Sequence, residues 1–335
     1  MLRFILRRIL LIIPVIIGLT VIMFIIARLL PGDPVGLAAG PNATAAEIAA
    51  LAAEYGLDKP VWQQYLNYLW GIAHGDFGTS LLTRRPVAAD LAAYLPATLE
   101  LVFAAMLLAV AVGIPLGLVT AVWRNKWPDY VSQVFAIGAI SMPRFFLGLL
   151  LQMCFAMWLL WLPLGGRLPI IAIPPPKITG FLTIDALAAG NWSTFVLALK
   201  HLALPAIAMS LSPLATIMRM MRSSTIEVMQ QDYVMTARAL GLAPRKIITK
   251  YVARNAVSAT LTVIGLYFGW LLGGTVLVET VFDWPGLGLY ATKAIVSQDM
   301  MPVIGVALVI GLLFVLSNLV IDVLYGVINP KVRYS

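Results

Sequence analysis

Residues 232–257 read DYVMTARALGLAPRKIITKYVARNAV, with five basic residues (Arg238, Arg245, Lys246, Lys250 and Arg254) and one acid, Asp232. Long runs with almost no charge flank this stretch on both sides. Its local signals describe two short helices and a break. Ser224 and Glu227 have the spacing of a capping box, which predicts a helix start there. Asp232 predicts a second start. Gly241 suits the position after a helix end, where a left-handed residue costs least. Pro244 suits the first turn of the next helix, where its missing N–H is not needed. The expectation is a small charged helix, a tight turn, and a helix that returns to the apolar phase. Tyr233 and Leu240 are apolar knobs on it, and Thr236, Ala237 and Ala239 let another backbone approach. Such a helix fits a groove of a partner protein. It fits a surface of anionic lipid equally well.

The rest of the chain explains why this segment stands out. Of 335 residues, 61% are hydrophobic and only 11% charged. That balance excludes a soluble domain, which needs more charge on its surface. Uncharged runs of about 18 or more residues read as membrane-spanning helices, because lipid cannot pair an open backbone group. Ile9–Ala27, Leu101–Trp123, Phe145–Gly166, Ala256–Val278 and Met300–Ile321 are such runs, and Leu202–Met218, interrupted by Pro205 and Pro213, is a shorter one. The fold class expected is therefore all-α integral membrane with six transmembrane helices. The basic, apolar N-terminus resembles a signal peptide, but its apolar run is as long as a span and no clean cleavage site follows. An uncleaved first span is expected.

Charge sets the orientation. Arg3, Arg7, Arg8, Arg124, Lys126, the seven basic residues from Arg219 to Arg254, Lys331 and Arg333 fall on one side, fourteen of the chain's 23 Lys and Arg. Basic residues accumulate in cytoplasmic loops, which predicts N and C termini in the cytoplasm. The same bias accounts for the net charge of +8 without nucleic acid. On the other side, 31–96 forms a long first loop. Within it ATAAEIAALAAEYGL has helical periodicity, and KPVWQQYLNYLWGI reads as an amphipathic helix whose Trp62, Tyr65, Tyr68 and Trp70 suit the membrane interface. The expected division is 1–96, the first span with its outer loop, and 97–335, a core of five helices with the cytoplasmic loop at about 222–255.

Catalytic chemistry is missing. No G-x-x-x-x-G-K-[ST] loop cradles a phosphate, so energy must come from a partner chain. His74 and His201 are the only histidines. Neither has a Cys, His or acidic neighbour at useful spacing, so no metal site and no Ser–His site is expected. The single Cys154 reads as a packed thiol, and the sequons at Asn42 and Asn191 as chance matches. One charge falls inside a span: Arg144. If that span begins near Val131, Arg144 lies roughly 20 Å in. A charge there faces a cavity or a partner. It is a candidate for attracting an anionic group, for pairing with an acid of another subunit, or, if the span begins later, for a place at the interface. Gly265, Gly269, Gly273 and Gly274 allow close helix crossing, either with another chain or within this one.

The segment DYVMTARALG followed by YVARNA resembles the cytoplasmic loop of permease subunits of type I ABC importers, in the peptide-uptake class. Further matches run through the chain: PGDP at 31–34, YGLDKPVWQQY at 55–65, GDFGTS at 75–80, SMPRFFLG at 141–148, GFLTIDALAAG at 180–190, RSS at 222–224, ETVFDWPGLG at 279–288 and DVLYGVINPKVR at 322–333. The resemblance is to the dipeptide permease class, with glutathione and oligopeptide permeases near it. It implies the type I ABC importer permease fold in the bacterial cytoplasmic (inner) membrane. The chain would be a transport subunit, not an enzyme. Its partners would be a second homologous permease subunit, ABC ATPase subunits, an extracytoplasmic substrate-binding protein, the peptide substrate and membrane lipid. ATP and Mg would sit on partner subunits, with no cofactor on this chain.

By the same resemblance the loop is a coupling helix, with Asp232, Tyr233, Thr236, Ala237, Arg238, Ala239 and Gly241 at the joint with the ATPase. Met235, Leu240 and Ala259 depart from the family's usual Glu or Arg, Lys and Pro. Ser141, Pro143, Arg144, Phe145 and Gly148 are candidates for the translocation path. Glu279, Trp284, Pro285, Gly286 and Gly288 are candidates for an external gate turn. The competing reading is an ATP-independent secondary transporter or channel. It calls for intramembrane acids, and Glu100, Glu279 and Asp322 lie only near span ends.

Overall fold

The structure, a computed structural model, describes residues 2–29, 44, 46 and 59–328. Apart from Thr44 and Ala46, the helix expected over 43–57, the PGDP stretch at 31–34 and the basic end beyond 328 lie outside them. The described chain is helical almost throughout. Helix α1 is Leu2–Leu29, α2 Val61–Ala73, α3 Val87–Val122, α4 Trp127–Ser141, α5 Arg144–Trp158, α6 Leu182–Ala188 and α7 Trp192–Met229. Then follow α8 Asp232–Ala239, α9 Pro244–Gly273, α10 Val276–Val281, α11 Leu287–Val296 and α12 Met300–Ile328.

Among the described residues, α3, α7, α9 and α12 are long and apolar enough to cross a membrane, and α4 with α5 makes a fifth if that bent pair is one crossing. The apolar part of α1, Leu10–Ile26, is shorter. Helix α3 begins well before the expected start at Leu101, so residue 96 falls inside a helix rather than at the end of a loop. Its 36 residues reach about 54 Å, beyond a bilayer core of about 30 Å. Helix α7 is likewise longer than expected. Pro205 and Pro213 lie inside it without ending it, as neighbours in a span can make up for the lost bonds.

The third expected span, Phe145–Gly166, takes a different form. Helix α4 stops at Ser141, α5 starts at Arg144, and the two meet at 106°. The cause is local. Pro143 disfavours helical backbone at the residue before it, and Met142 is extended (φ −89°, ψ 125°). Arg144 therefore opens a new helix at a break instead of lying midway along one. Helix α5 widens into π turns over Gln152–Trp158 and ends there, short of Gly166.

Helices α3 and α7 form the central pair. Gly113 and Gly117 press directly on α7. A Cβ on Gly113 would lie 3.0 Å from the Leu214 carbonyl, and one on Gly117 would lie 2.5 Å from that of Met218. Around them Leu101, Ala105, Ala109, Leu204, Ala208, Met209 and Ile217 are buried. Lipid tails are as apolar as these side chains, so close van der Waals packing drives the association. Gly265 and Gly269 of α9 pack within the chain, against Ile321 and Phe314 of α12, while Gly273 meets nothing within 4 Å. The option of a partner permease at Gly265 and Gly269 is thus replaced by intrachain crossing. Helix α2 docks on α1: Tyr65 donates or accepts at Thr20 Oγ1 (2.9 Å), and Phe24 packs on Tyr65 and Tyr68. Trp62 and Trp70 stay exposed.

Candidate coupling surface, outer turn and path

The opening stretch folds as a helix, a turn and a helix. Its first start differs from expectation. Ser224 is buried inside α7, which runs on to Met229, so the capping-box pattern is never used. A helix already under way satisfies those amides. Helix α8 then spans Asp232–Ala239 with Gln231 at its N-cap, and no side chain, including that of Asp232, makes a capping bond. Its C-terminus closes as a Schellman turn. Leu242 N–H donates to Ala237 O (3.2 Å) and Gly241 N–H to Arg238 O (2.9 Å). Gly241 has φ +72°, the left-handed value a glycine takes freely. Pro244 starts α9 as expected.

Helix α8 has two faces. Val234 and Ala237 are buried against Ile247 and Val252, with Met229 and Leu242 beside them. Ala237 therefore packs within the chain, and cannot itself form part of an outward surface. Asp232, Tyr233, Thr236, Arg238, Ala239 and Gly241 are exposed, together with Met235 and Leu240. Tyr233 is steadied by Asn255, whose Nδ2 donates to its hydroxyl (2.9 Å). The result is an apolar knob with basic neighbours, held on a small packed base.

An ion pair that the sequence reading missed lies close by. Arg222 of α7 donates to both oxygens of Asp129 at the start of α4, at 2.6 and 2.8 Å. Asp129 is fully buried and also accepts from Asn125 N–H (3.0 Å) and Gln133 Nε2 (3.1 Å). A signal existed: Asp129 is the only acid between Glu100 and Asp185.

At the other end of the bundle, the expected gate residues come together as a packed turn. Glu279 and Trp284 have 0% and 1% of their surface exposed, and Pro285 is half-buried. The Glu279 carboxylate accepts from Thr98 Oγ1 (2.7 Å), Gly288 N–H (2.7 Å) and Leu289 N–H (3.1 Å). Burial pushes this carboxyl above the ordinary carboxylate range, and those donors offset only part of the shift. Trp284 Nε1 donates to Ala97 O (2.8 Å), and Leu287 N–H to Thr98 Oγ1 (2.8 Å). Gly286 and Gly288 are needed for approach: a Cβ on the first would lie 2.5 Å from the Glu279 carboxylate, and one on the second 2.5 Å from Val276 Cα. Beneath the turn Arg167 bridges Glu100 and Gly180 O, with its guanidinium 5.6 Å from the Trp284 ring. Thr183 binds Glu100 through its N–H (2.8 Å) and its hydroxyl (2.6 Å).

The path candidates divide. Ser141, Pro143 and Phe145 are exposed around the break. Gly148 is buried and serves packing, since a Cβ there would lie 2.9 Å from the Phe282 ring. Arg144 is half-buried. Its guanidinium lies across Gly274, at the end of α9, where any Cβ would overlap it. No ion pair or hydrogen bond engages Arg144 among the described residues.

The histidines bind backbone. His74 Nδ1 contacts Trp70 O (2.8 Å), and His201 Nδ1 contacts Gly165 O (2.9 Å). Asn191 caps α7 by accepting from Thr194 N–H (3.0 Å). Among the described residues no group of three His, Cys, Asp or Glu is placed to hold a metal.

Comparison with known proteins gives a consistent result. Residues 113–334 match the family described as "binding-protein-dependent transport system inner membrane component", and residues 1–102 match its N-terminal companion. The chain is 45% identical over 318 residues to the probable D,D-dipeptide transport system permease protein DdpB of Escherichia coli, covering 95% of this chain and 94% of that one. It is 43% identical over 338 residues to the dipeptide transport system permease protein DppB of Escherichia coli, with 100% of each chain covered. It is 38% identical over 335 residues to the glutathione transport system permease protein GsiC of Salmonella choleraesuis, again with 100% of each covered.

Proposed function

The chain belongs to the family of binding-protein-dependent transport system inner membrane components, and on that premise we propose that it is the permease subunit of an ATP-driven dipeptide or oligopeptide importer. It is a multi-pass protein of the bacterial inner membrane. One observation carries the reading of substrate class: relatives named for dipeptide transport align with it over 94% and 100% of their length. The ATP-independent alternative is not favoured by those relatives.

The finer organisation follows from the charge pattern and the family together. Six crossings, by α1, α3, α4 with α5, α7, α9 and α12, leave both termini in the cytoplasm, in the type I permease arrangement. Residues 1–96 attach to a five-helix core, and the core carries the ATPase-facing loop. On that side α8 is the coupling helix. Its docking residues are Asp232, Tyr233, Thr236, Arg238, Ala239 and Gly241, with Ala237 setting the base beneath them. ATP and Mg bind to the ATPase subunits. A second permease closes the path past Ser141, Arg144 and Phe145, and an extracytoplasmic binding protein delivers peptide near the Glu279–Gly288 turn. Alternating access requires two discrete packings of these helices.

Co-purification and reconstitution test this reading. An ATPase subunit travels with the tagged chain, and Arg238→Glu combined with Leu240→Glu on the exposed face of α8 reduces its recovery about tenfold. The same amount of folded permease remains, because neither side chain is buried. Vesicles holding this chain alone and still concentrating dipeptide would sink the proposal.

A further inference from the structure

Arg144 is a full charge at a break in the bilayer-crossing pair α4–α5, and it has no partner among the described residues. A charge within a membrane span is costly, so its side chain meets a counter-charge or a polar cavity in the working state. Non-helical backbone at membrane depth is tolerated under the same condition. Counting from Trp127, α4 rises about 22 Å before the break, some two-thirds of a core of about 30 Å. Helix α9 lies under its guanidinium at Gly274, and Tyr267 stands two turns earlier on that helix. The Tyr267 hydroxyl is 2.9 Å from Thr216 Oγ1 on α7. Thr216 in turn lines a largely apolar groove of about 280 Å³ with Arg219, Met220, Ser223 and Val263.

We propose that Arg144 binds the C-terminal carboxylate of the incoming peptide at this break. The inference rests on the peptide reading above. Carboxylate fits the site because a guanidinium offers forked donors that a planar carboxylate accepts in pairs. Gly274 fits as well, since only a residue without a Cβ lets the guanidinium lie across the end of α9.

The test uses the complete transporter in proteoliposomes, with saturating binding protein and a dipeptide. Arg144→Gln lowers maximal uptake about tenfold, or about 1.4 kcal/mol at 25 °C. Arg144→Lys keeps uptake within about threefold, because the charge remains while the fork is lost. ATPase stimulation by the loaded binding protein and the yield of assembled complex stay at the wild-type level in both. Several results would overturn the inference. Equal uptake by Arg144→Gln and wild type would show that the charge meets only lipid. A parallel loss of uptake and assembly would show that it pairs with an acid of another subunit. Failure of the peptide reading itself appears separately, as absence of dipeptide uptake by the wild type.

Discussion

Replacing Gly117 by alanine tests how tightly the central helix pair is joined. A Cβ at 117 would lie 2.5 Å from the Met218 carbonyl oxygen and 2.7 Å from Met221 Cβ. Ordinary contact begins near 3.4 Å, so α3 and α7 must separate by up to about 1 Å at the crossing. The obstacle is backbone, and no rotamer change relieves it. Overpacking of this kind costs roughly 1–3 kcal/mol. The separation also weakens contacts at Gly113 and Met218, because dispersion falls steeply over such a gap. Against this, alanine improves helix propensity by about 1 kcal/mol. The net expectation is a loss of about 0–2 kcal/mol, from the overpacking cost less the propensity gain. Gly138 of α4 supplies the control: it too is helical, but a Cβ there meets nothing within 4 Å. Gly138→Ala keeps the propensity gain without the clash, and is neutral or stabilising. Thermal unfolding of the purified complex in detergent, run on both variants, reads the difference. A Gly117→Ala protein that unfolds no earlier than Gly138→Ala would refute the close crossing.

Two further outcomes are expected from buried polar groups. Glu279→Gln is nearly neutral, costing about 1 kcal/mol, because its amide oxygen still accepts from Gly288 and Leu289 while its NH₂ donates to Thr98 Oγ1, whose hydrogen turns away. Glu279→Ala strands three donors, with a loss on the order of 3–5 kcal/mol, so folded yield in the membrane separates the two variants. At the other end, Arg222→Ala leaves Asp129 buried with only Asn125 and Gln133 as donors, and costs about 2 kcal/mol, less than a fully enclosed pair because Arg222 is partly exposed. Exchanging the charges as Asp129→Arg with Arg222→Asp does not restore stability, since Asn125 N–H and the Gln133 amide would then face a cation; full recovery of the melting temperature by the exchange would contradict this.

What was legible in the sequence follows what a local rule constrains. Lipid imposes length and apolarity on any crossing, so the runs at Leu101–Trp123 and Met300–Ile321 could be read from composition alone. Gly241 and Pro244 were legible for the same reason, because the backbone conformations they permit are local properties. Ser224 misled because a capping box is only an option, and the helix arriving from Trp192 had already paired those amides. Met142–Pro143 carried its own warning, as proline restrains the residue before it. The apolar run on either side concealed the break, since hydropathy is blind to direction.

The partners across the fold were not legible, and the glycines show why. Gly265 and Gly269 were noticed as a close-approach stripe, yet spacing of four says only that some backbone or side chain comes near. It does not say whether the neighbour is Phe314 of the same chain or a helix of another subunit. Gly113 and Gly117 have the same spacing, and nothing in GIPLG says which helix they meet. In the structure both press on the backbone of α7, at the Leu214 and Met218 carbonyls. The same limit holds for charge. Asp129 and Arg222 are 93 positions apart, and each reads singly as a loop residue. Only the antiparallel return of α7 beside α4 makes them one ion pair. Arg144 is the opposite case. Its neighbours within the chain leave it unmatched, so its isolation, visible first as a lone charge in an apolar run, is kept by the fold instead of being resolved by it.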